Sequence, residues 1–244
     1  MPLEIIGLTS LPEIRPGDDL AALIREAVAR ERRRLDLRTI VVIAQKIVSK
    51  AEGALVDLRT IEPSPRAADW AAQWDQDARL IELVLRESRR IVRMERGVII
   101  AETRHGFVAA NAGVDRSNVP GEHYAALLPA DPDASARRLR DVLGCGAVVI
   151  TDTFGRPWRE GLVNVALGVA GLEPLLDLRG SIDRSGRPLR GTFLARADEI
   201  AAAAGLVMPK AAGVPVALVT GLDFTPAEGT ARSLIRPAER DLFR

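Results

Sequence analysis

Two short stretches carry most of the residues that could do chemistry in this 244-residue chain. ANAGVDRSN (110–118) places two asparagines, an aspartate and a serine behind an apolar run, and ITDTFGRPWREG (150–161) places another aspartate behind a second. Asp115 and Asp152 therefore fall where strands are expected to end, and loops at strand ends can bring distant side chains together. Two carboxylates and the hydroxyl of Thr153 make a hard-oxygen set suited to Mg²⁺ or Mn²⁺, with water and phosphate completing the shell. The competing reading is that each aspartate caps a turn. Asn118 suits a base, sugar or phosphate, or else stabilises the turn before Pro120. Arg156 and Arg159 would bring positive charge to an anionic substrate or a transferring phosphoryl group. Alternatively they are solvated, and Trp158 anchors a packed loop.

Only three of the 34 basic residues are lysines: Lys46, Lys50 and Lys210. In a chain whose cations are nearly all arginine, a compact ammonium suits a phosphate position that a planar guanidinium does not fit. Chance placement is the alternative. His105, in ETRHGF, is a candidate general base; the competing reading is a turn histidine held by a structural hydrogen bond. His123, beside Tyr124, reads as structural. Neither histidine has metal-ligand spacing, and Cys145 alone can form neither an internal disulfide nor a cysteine metal site. With no nucleophile-elbow pattern either, covalent hydrolase chemistry has no support. The chain has no G-x-x-x-x-G-K-[ST], so it is not a P-loop protein. GCGAVV precedes an expected strand instead of following one, and it lacks the third glycine of a Rossmann fingerprint.

The elements that must position these residues follow from apolar periodicity. Residues 17–36 predict an amphipathic helix capped by Asp18 or Asp19, with Leu20, Leu23, Ile24, Ala27 and Val28 as its stripe. TIVVIA (39–44) predicts a buried strand that delivers QKIVSK at its end. A long helix is expected over 66–94, with Leu80, Ile81, Val84, Leu85 and Ile91 at helical spacing. GVIIAE and GFVAANAG predict two strands around TRHG. A helix near 134–143 should precede the strand AVVITDT, and a helix over 195–208 should precede a strand over 214–222. DRSGRPLRG (183–191) predicts an exposed turn. The expectation is an α/β or α+β fold with a mixed β-sheet in a single domain over 1–244, of one lobe or two. With a net charge of +1, nothing in bulk electrostatics argues for nucleic acid or an anionic membrane as partner. No secretory leader is evident and no apolar run nears the roughly 20 residues of a membrane span, so the expected location is the cytoplasm.

With these stretches in place, the chain resembles the coenzyme F420-0:L-glutamate ligase (γ-glutamyl ligase) family. LPEIRPGDDL, QKIVSKAEG, ETRHGFVAANAGVDRSNV, LLPADPDASA, ITDTFGRPWREGLVNVALGVAGL and SLIRPAERDLFR carry the likeness, in order and across essentially the whole chain. The resemblance implies a GTP-dependent ligase that adds L-glutamate to the lactyl carboxylate of F420-0 through an acyl phosphate, then further glutamates by γ-linkage. It implies two divalent cations, Mg²⁺ or Mn²⁺, with Asp115 and Asp152 as ligands and Thr153 at the second. It further implies nucleotide contacts at Leu11, Pro12, Glu13, Ile14, Gln45, Lys46, Lys50 and Asn118, and at the segment starting with Met208, Pro209 and Lys210. K⁺ and a homodimer belong to the same expectation. Departures from the family pattern are Ala109, where cysteine is frequent, Leu178 for a tyrosine, and Pro209, which removes a backbone N–H and fixes φ in the nucleotide segment. A protonated Lys210 cannot ligate a metal. Two other readings use the same residues: a metal-dependent GTP phosphohydrolase, and a non-catalytic binder of GTP or a deazaflavin.

Overall fold

The computed structural model describes residues 2–242; Met1 and the last two residues of SLIRPAERDLFR lie outside the described residues. The chain enters on β1 (Glu4–Gly7) and then forms α1 (Leu20–Arg30), where Asp19 is the cap, accepting from the Ala22 N–H at 2.9 Å. Asp18 instead accepts from the Arg15 N–H. The β-branched run 40–44 is β2 (Ile40–Ala44), and QKIVSK at its end forms the short helix α2 (Gln45–Ala51). β3 (Leu55–Asp57) follows.

The single helix expected over 66–94 is three elements: α3 (Pro65–Trp74), α4 (Ala78–Glu87) and β4 (Ser88–Glu95). Asp75 ends α3 in a left-handed conformation at φ 49°, and Asp77 caps α4 by accepting from the Arg79 N–H at 3.0 Å. Ile91, which continued the helical spacing, lies in β4, where pairing with β5 (Val98–Thr103) overrides local periodicity. β6 (Val108–Ala110) ends before a turn in which Asn111, Ala112 and Gly113 all have φ above +50°. Asp115 is therefore past that turn, its backbone bridged to Ala126 in β7 (Tyr124–Ala126).

α5 (Pro132–Leu143) leads through GCG into β8 (Ala147–Arg156). Those glycines have steric roles. Gly144 ends α5 at φ 66°, and a Cβ on Gly146 would sit 2.2 Å from the Leu37 carbonyl oxygen. β8 does not stop at Asp152. It turns tightly at Pro157–Trp158 into β9 (Arg159–Ala170), a 12-residue strand with no counterpart in the sequence-based expectation. Trp158 is 78% exposed at this tip, so it does not anchor a packed loop. β10 (Leu176–Asp177) and β11 (Phe193–Leu194) flank the exposed 183–191 turn, and α6 (Arg196–Gly205) and β12 (Val216–Thr220) complete the chain, the helix ending before Met208.

The main sheet has the order β1-β12-β2-β8-β9, with β2 and β8 parallel and the other neighbours antiparallel, so the mixed α/β expectation holds. Alternate residues along its strands feed two cores. Val41, Ile43, Val148 and Ile150 pack with α1, α2 and α5 on one face. Ile40, Val42, Ala147 and Val149 pack with α6 on the other. A third core joins α3, α4 and β5 with Ala125 of β7. No described helix is long and apolar enough to cross a membrane.

Candidate active site

The parallel pairing of β2 with β8 ends at Ala44 and Thr151. There β2 turns into α2, whereas β8 runs on, paired only with β9. Asp152 is the first residue beyond the shared pairing, and Lys46, in the first turn of α2, faces the gap.

Lys46 Nζ donates to Asp115 Oδ2 and to Ser117 Oγ, both at 2.6 Å, across a separation of 69 residues for the carboxylate. The Ser117 N–H donates to Asp115 Oδ1 at 2.7 Å, closing a turn that fixes the carboxylate. Burial pushes the Asp115 carboxyl up, but the bonds from Lys46 and Ser117 outweigh it and hold the group below its usual range. Asp152 behaves in the opposite way. Burial pushes its carboxyl up to about 6, the Asp115 charge adds to the rise, and the Thr153 N–H and the Lys46 and Lys210 ammonium groups oppose it. The two aspartates and two of the three lysines therefore share one electrostatic neighbourhood.

The third lysine belongs to an adjoining pair. Lys50 lies one turn along α2, 3% exposed, and its Nζ donates to Glu13 Oε1. This joins the 11–14 segment to α2. Within that segment Ile14 is buried in the α1/α2/α5 core, Leu11 packs against it, and Pro12 and Glu13 are exposed. Gln45 is buried and accepts from Ser49 Oγ at 2.9 Å.

Other candidates are dispersed. Asn118 is exposed at φ 53°, as a turn asparagine would be. Met208 packs into the α6 core, while Pro209 and Lys210 are exposed just beyond it. Arg156 donates to the Glu160 carbonyl within the hairpin at 2.7 Å. His105 Nε2 lies 3.0 and 3.1 Å from the carbonyl oxygens of Pro129 and Ala130, so it carries the proton and donates. Its Nδ1 is buried without a partner among the described residues. That is the bonding of a histidine that ties a turn to the chain entering α5. Cys145 is a core thiol, which burial pushes up to about 11.

Thr153 does not share a face with Asp152. Even-numbered β8 residues continue toward α2 and odd-numbered ones toward α6, so the two neighbours project oppositely. Thr153 Oγ1 donates to Asn164 Oδ1 on β9 at 3.0 Å. Asn164 is absent from the candidate residues read from the sequence, and Ser117, noted within the polar stretch 110–118, was given no role there. The signal for Asn164 was rarity, as one of three asparagines, and that for Ser117 was its place two residues after Asp115. Among the described residues no group of three or more His, Cys, Asp or Glu side chains is placed to hold a metal. The donors available to a hard cation are Asp115 and Asp152, so water and phosphate oxygens would have to supply the rest of its shell.

The fold and site thus define an α/β protein with a mixed-charge cluster set off the end of a parallel strand pair, on neither a P-loop nor a Rossmann crossover. Residues 9–221 match the family described as F420-0:Gamma-glutamyl ligase. The chain is 46% identical over its whole length, and that of the relative, to a coenzyme F420:L-glutamate ligase of Methanothermobacter thermautotrophicus. Proteins of the same name from Methanopyrus kandleri and Methanocaldococcus jannaschii are 47% and 38% identical, covering 95% and 99% of this chain and 94% and 97% of their own. The chain belongs to the F420-0:γ-glutamyl ligase family.

Proposed function

We propose that this protein is a GTP-dependent ligase that joins L-glutamate to the lactyl carboxylate of coenzyme F420-0, then extends the product by γ-linkage. The observation that carries the reading is the convergence of Asp115, Asp152, Lys46 and Lys210, in a chain that belongs to this family. A carboxylate and a triphosphate repel, so a site that brings them together needs fixed positive charge around the transferring group. Lys46 and Lys210 provide it from the chain itself. Asp115 and Asp152 would hold a divalent cation, Mg²⁺ or Mn²⁺, which when bound neutralises phosphate charge.

In this mechanism the substrate carboxylate attacks the γ-phosphorus of GTP, and GDP leaves. The glutamate amine then attacks the acyl carbon, phosphate departs, and the amine loses a proton as the amide forms. Lys50 and Glu13 brace the 11–14 segment against α2, where the nucleotide is read to bind. K⁺ and a homodimeric assembly complete the proposal. His105 is assigned a structural role, because its donor nitrogen is committed to Pro129 and Ala130.

The test is mass spectrometry of F420-0 incubated with the protein, GTP, Mn²⁺ and L-glutamate, with glutamate omitted as control. Glutamate-dependent mass additions with matching GDP are expected. GDP without added glutamate would replace the ligase by a phosphohydrolase, and bound GTP with no turnover would leave a binder.

A further inference from the structure

The Asp115 carboxylate is nearly saturated by donors from the chain itself. An ionised carboxylate offers about four lone-pair sites. Three are taken here: one on Oδ1 by the Ser117 N–H at 2.7 Å, and two on Oδ2 by Lys46 Nζ at 2.6 Å and Ser117 Oγ at 2.9 Å. Ser117 Oγ has a single proton to give, so it donates to Asp115 and accepts from Lys46 Nζ at 2.6 Å. Serine, lysine and aspartate thus close a triangle that commits two of the three ammonium protons, and the Lys46 side chain is only 17% exposed. Charge is balanced too. Lys46 and Lys210 both act on Asp152, so two ammonium groups face two carboxylates and their formal charges cancel.

We propose that Lys46 is an internal competitor for the Asp115 carboxylate, held there by Ser117, and that a divalent cation and a polyphosphate therefore enter this site together. A cation shared by Asp115 and Asp152 has to take the carboxylate from the Lys46 ammonium, and like charges repel strongly where solvent is partly excluded. Alone, such an ion gains little from a cluster whose charges already cancel. A phosphate chain alone meets an ammonium already turned to Asp115. When both arrive, the cation takes the carboxylates and the released ammonium, on its flexible stem, takes a phosphate oxygen. Each ligand removes what opposes the other, which is a coupling of the two affinities. Ser117 is the positioning residue, because its hydroxyl is the second acceptor that keeps the ammonium on Asp115. The inference rests on the proposed metal-dependent reading of the site.

The experiment measures two affinities on the same variants. Mn²⁺ alone is titrated by electron paramagnetic resonance of the free ion, and a fluorescent non-hydrolysable GTP analogue is titrated at saturating Mn²⁺ by anisotropy. Lys46→Met keeps the length of the side chain and removes its charge. It should bind Mn²⁺ about tenfold more tightly than wild type and the analogue about tenfold more weakly. A lysine that merely supports the fold would weaken both, so the opposite signs are the signature. Ser117→Ala keeps the backbone bond to Asp115 and loses only the hydroxyl, and it should tighten Mn²⁺ about threefold. Ser117→Thr, which retains the hydroxyl, should match wild type. Adding Asp152→Asn to Lys46→Met should abolish the gain. If Lys46→Met binds Mn²⁺ no more tightly than wild type, or Ser117→Ala binds it more weakly, while Asp152→Asn still lowers uptake, the inference is overturned and the metal site stands. A gain in Lys46→Met that survives Asp152→Asn, or no Mn²⁺ uptake by any of these proteins, would overturn both.

Discussion

Asp115 and Asp152 are the same residue type in one electrostatic neighbourhood, yet their surroundings drive them in opposite directions. Asp115 lies past a left-handed turn in the smaller, third-core region, with its side chain 42% exposed and bound by Lys46 and Ser117. Asp152 lies within a continuous strand of the main sheet, where burial pushes it up to about 6. The loop gives Asp115 both the Ser117 N–H and the Lys46 ammonium, whereas the strand offers Asp152 the Thr153 N–H, which does not offset its burial. On the proposed reading, the two carboxylates would share a divalent cation, which would relieve the cost of charging Asp152.

The largest effect expected from breaking this pair is on turnover. Asp152→Asn should lower glutamate addition by about 10³-fold, equivalent to ~4 kcal/mol of barrier, as read by the mass-spectrometric assay. Activity within a few-fold of wild type would remove Asp152 from the cation site.

A second effect appears in the stability of the metal-free protein. Because Asp152 binds its proton more tightly when folded, folding takes up a proton between the ordinary carboxylate range and about pH 6. Wild-type stability attributable to this group therefore falls as pH rises through that window. Asp152→Asn should be the more stable protein at pH 7.5, by at most ~3 kcal/mol, with the gain fading toward pH 4. Asp115 has the opposite sign: its contribution is present at neutral pH and is lost on acidification. Chelator-treated protein melted in urea across pH 4–8 reads both, and a gain that grows with acidification would reverse the assignment for Asp152.

The smallest effect separates the site from its scaffold. His105→Ala should cost about 1 kcal/mol in urea unfolding, through its hydrogen bonds to the Pro129 and Ala130 carbonyls, and leave turnover within a few-fold. A hundredfold loss of turnover at unchanged stability would return His105 to the chemistry.

Much of this arrangement was legible in the residues. The apolar runs of β2 and β8 and the stripes of α1 and α5 announce themselves, because burial on one face imposes a period. The scarcity of lysine pointed to Lys46, Lys50 and Lys210; the structure pairs Lys46 with Asp115 and Lys50 with Glu13, and Lys210 is within electrostatic reach of Asp152. What stayed hidden depended on partners distant in sequence. β9 begins with REG and reads as a loop until β8 pairs with it. β4 carries Ile91 at helical spacing but answers to β5. Asn164 has no local signature, because it is defined by the side chain it meets across the hairpin.

The continuation of β8 past its parallel partner constrains the protein's evolution in a particular way. Consecutive residues of one strand serve two sides of a partition, Asp152 toward α2 and Thr153 toward α6. Loss or gain of a single residue upstream in the strand would exchange the sides of both at once, and of everything beyond them in the hairpin. Drift in this segment is therefore confined to changes of residue and closed to changes of length, and homologues that diverge widely here in composition should still keep the same number of residues between the end of α5 and the hairpin tip.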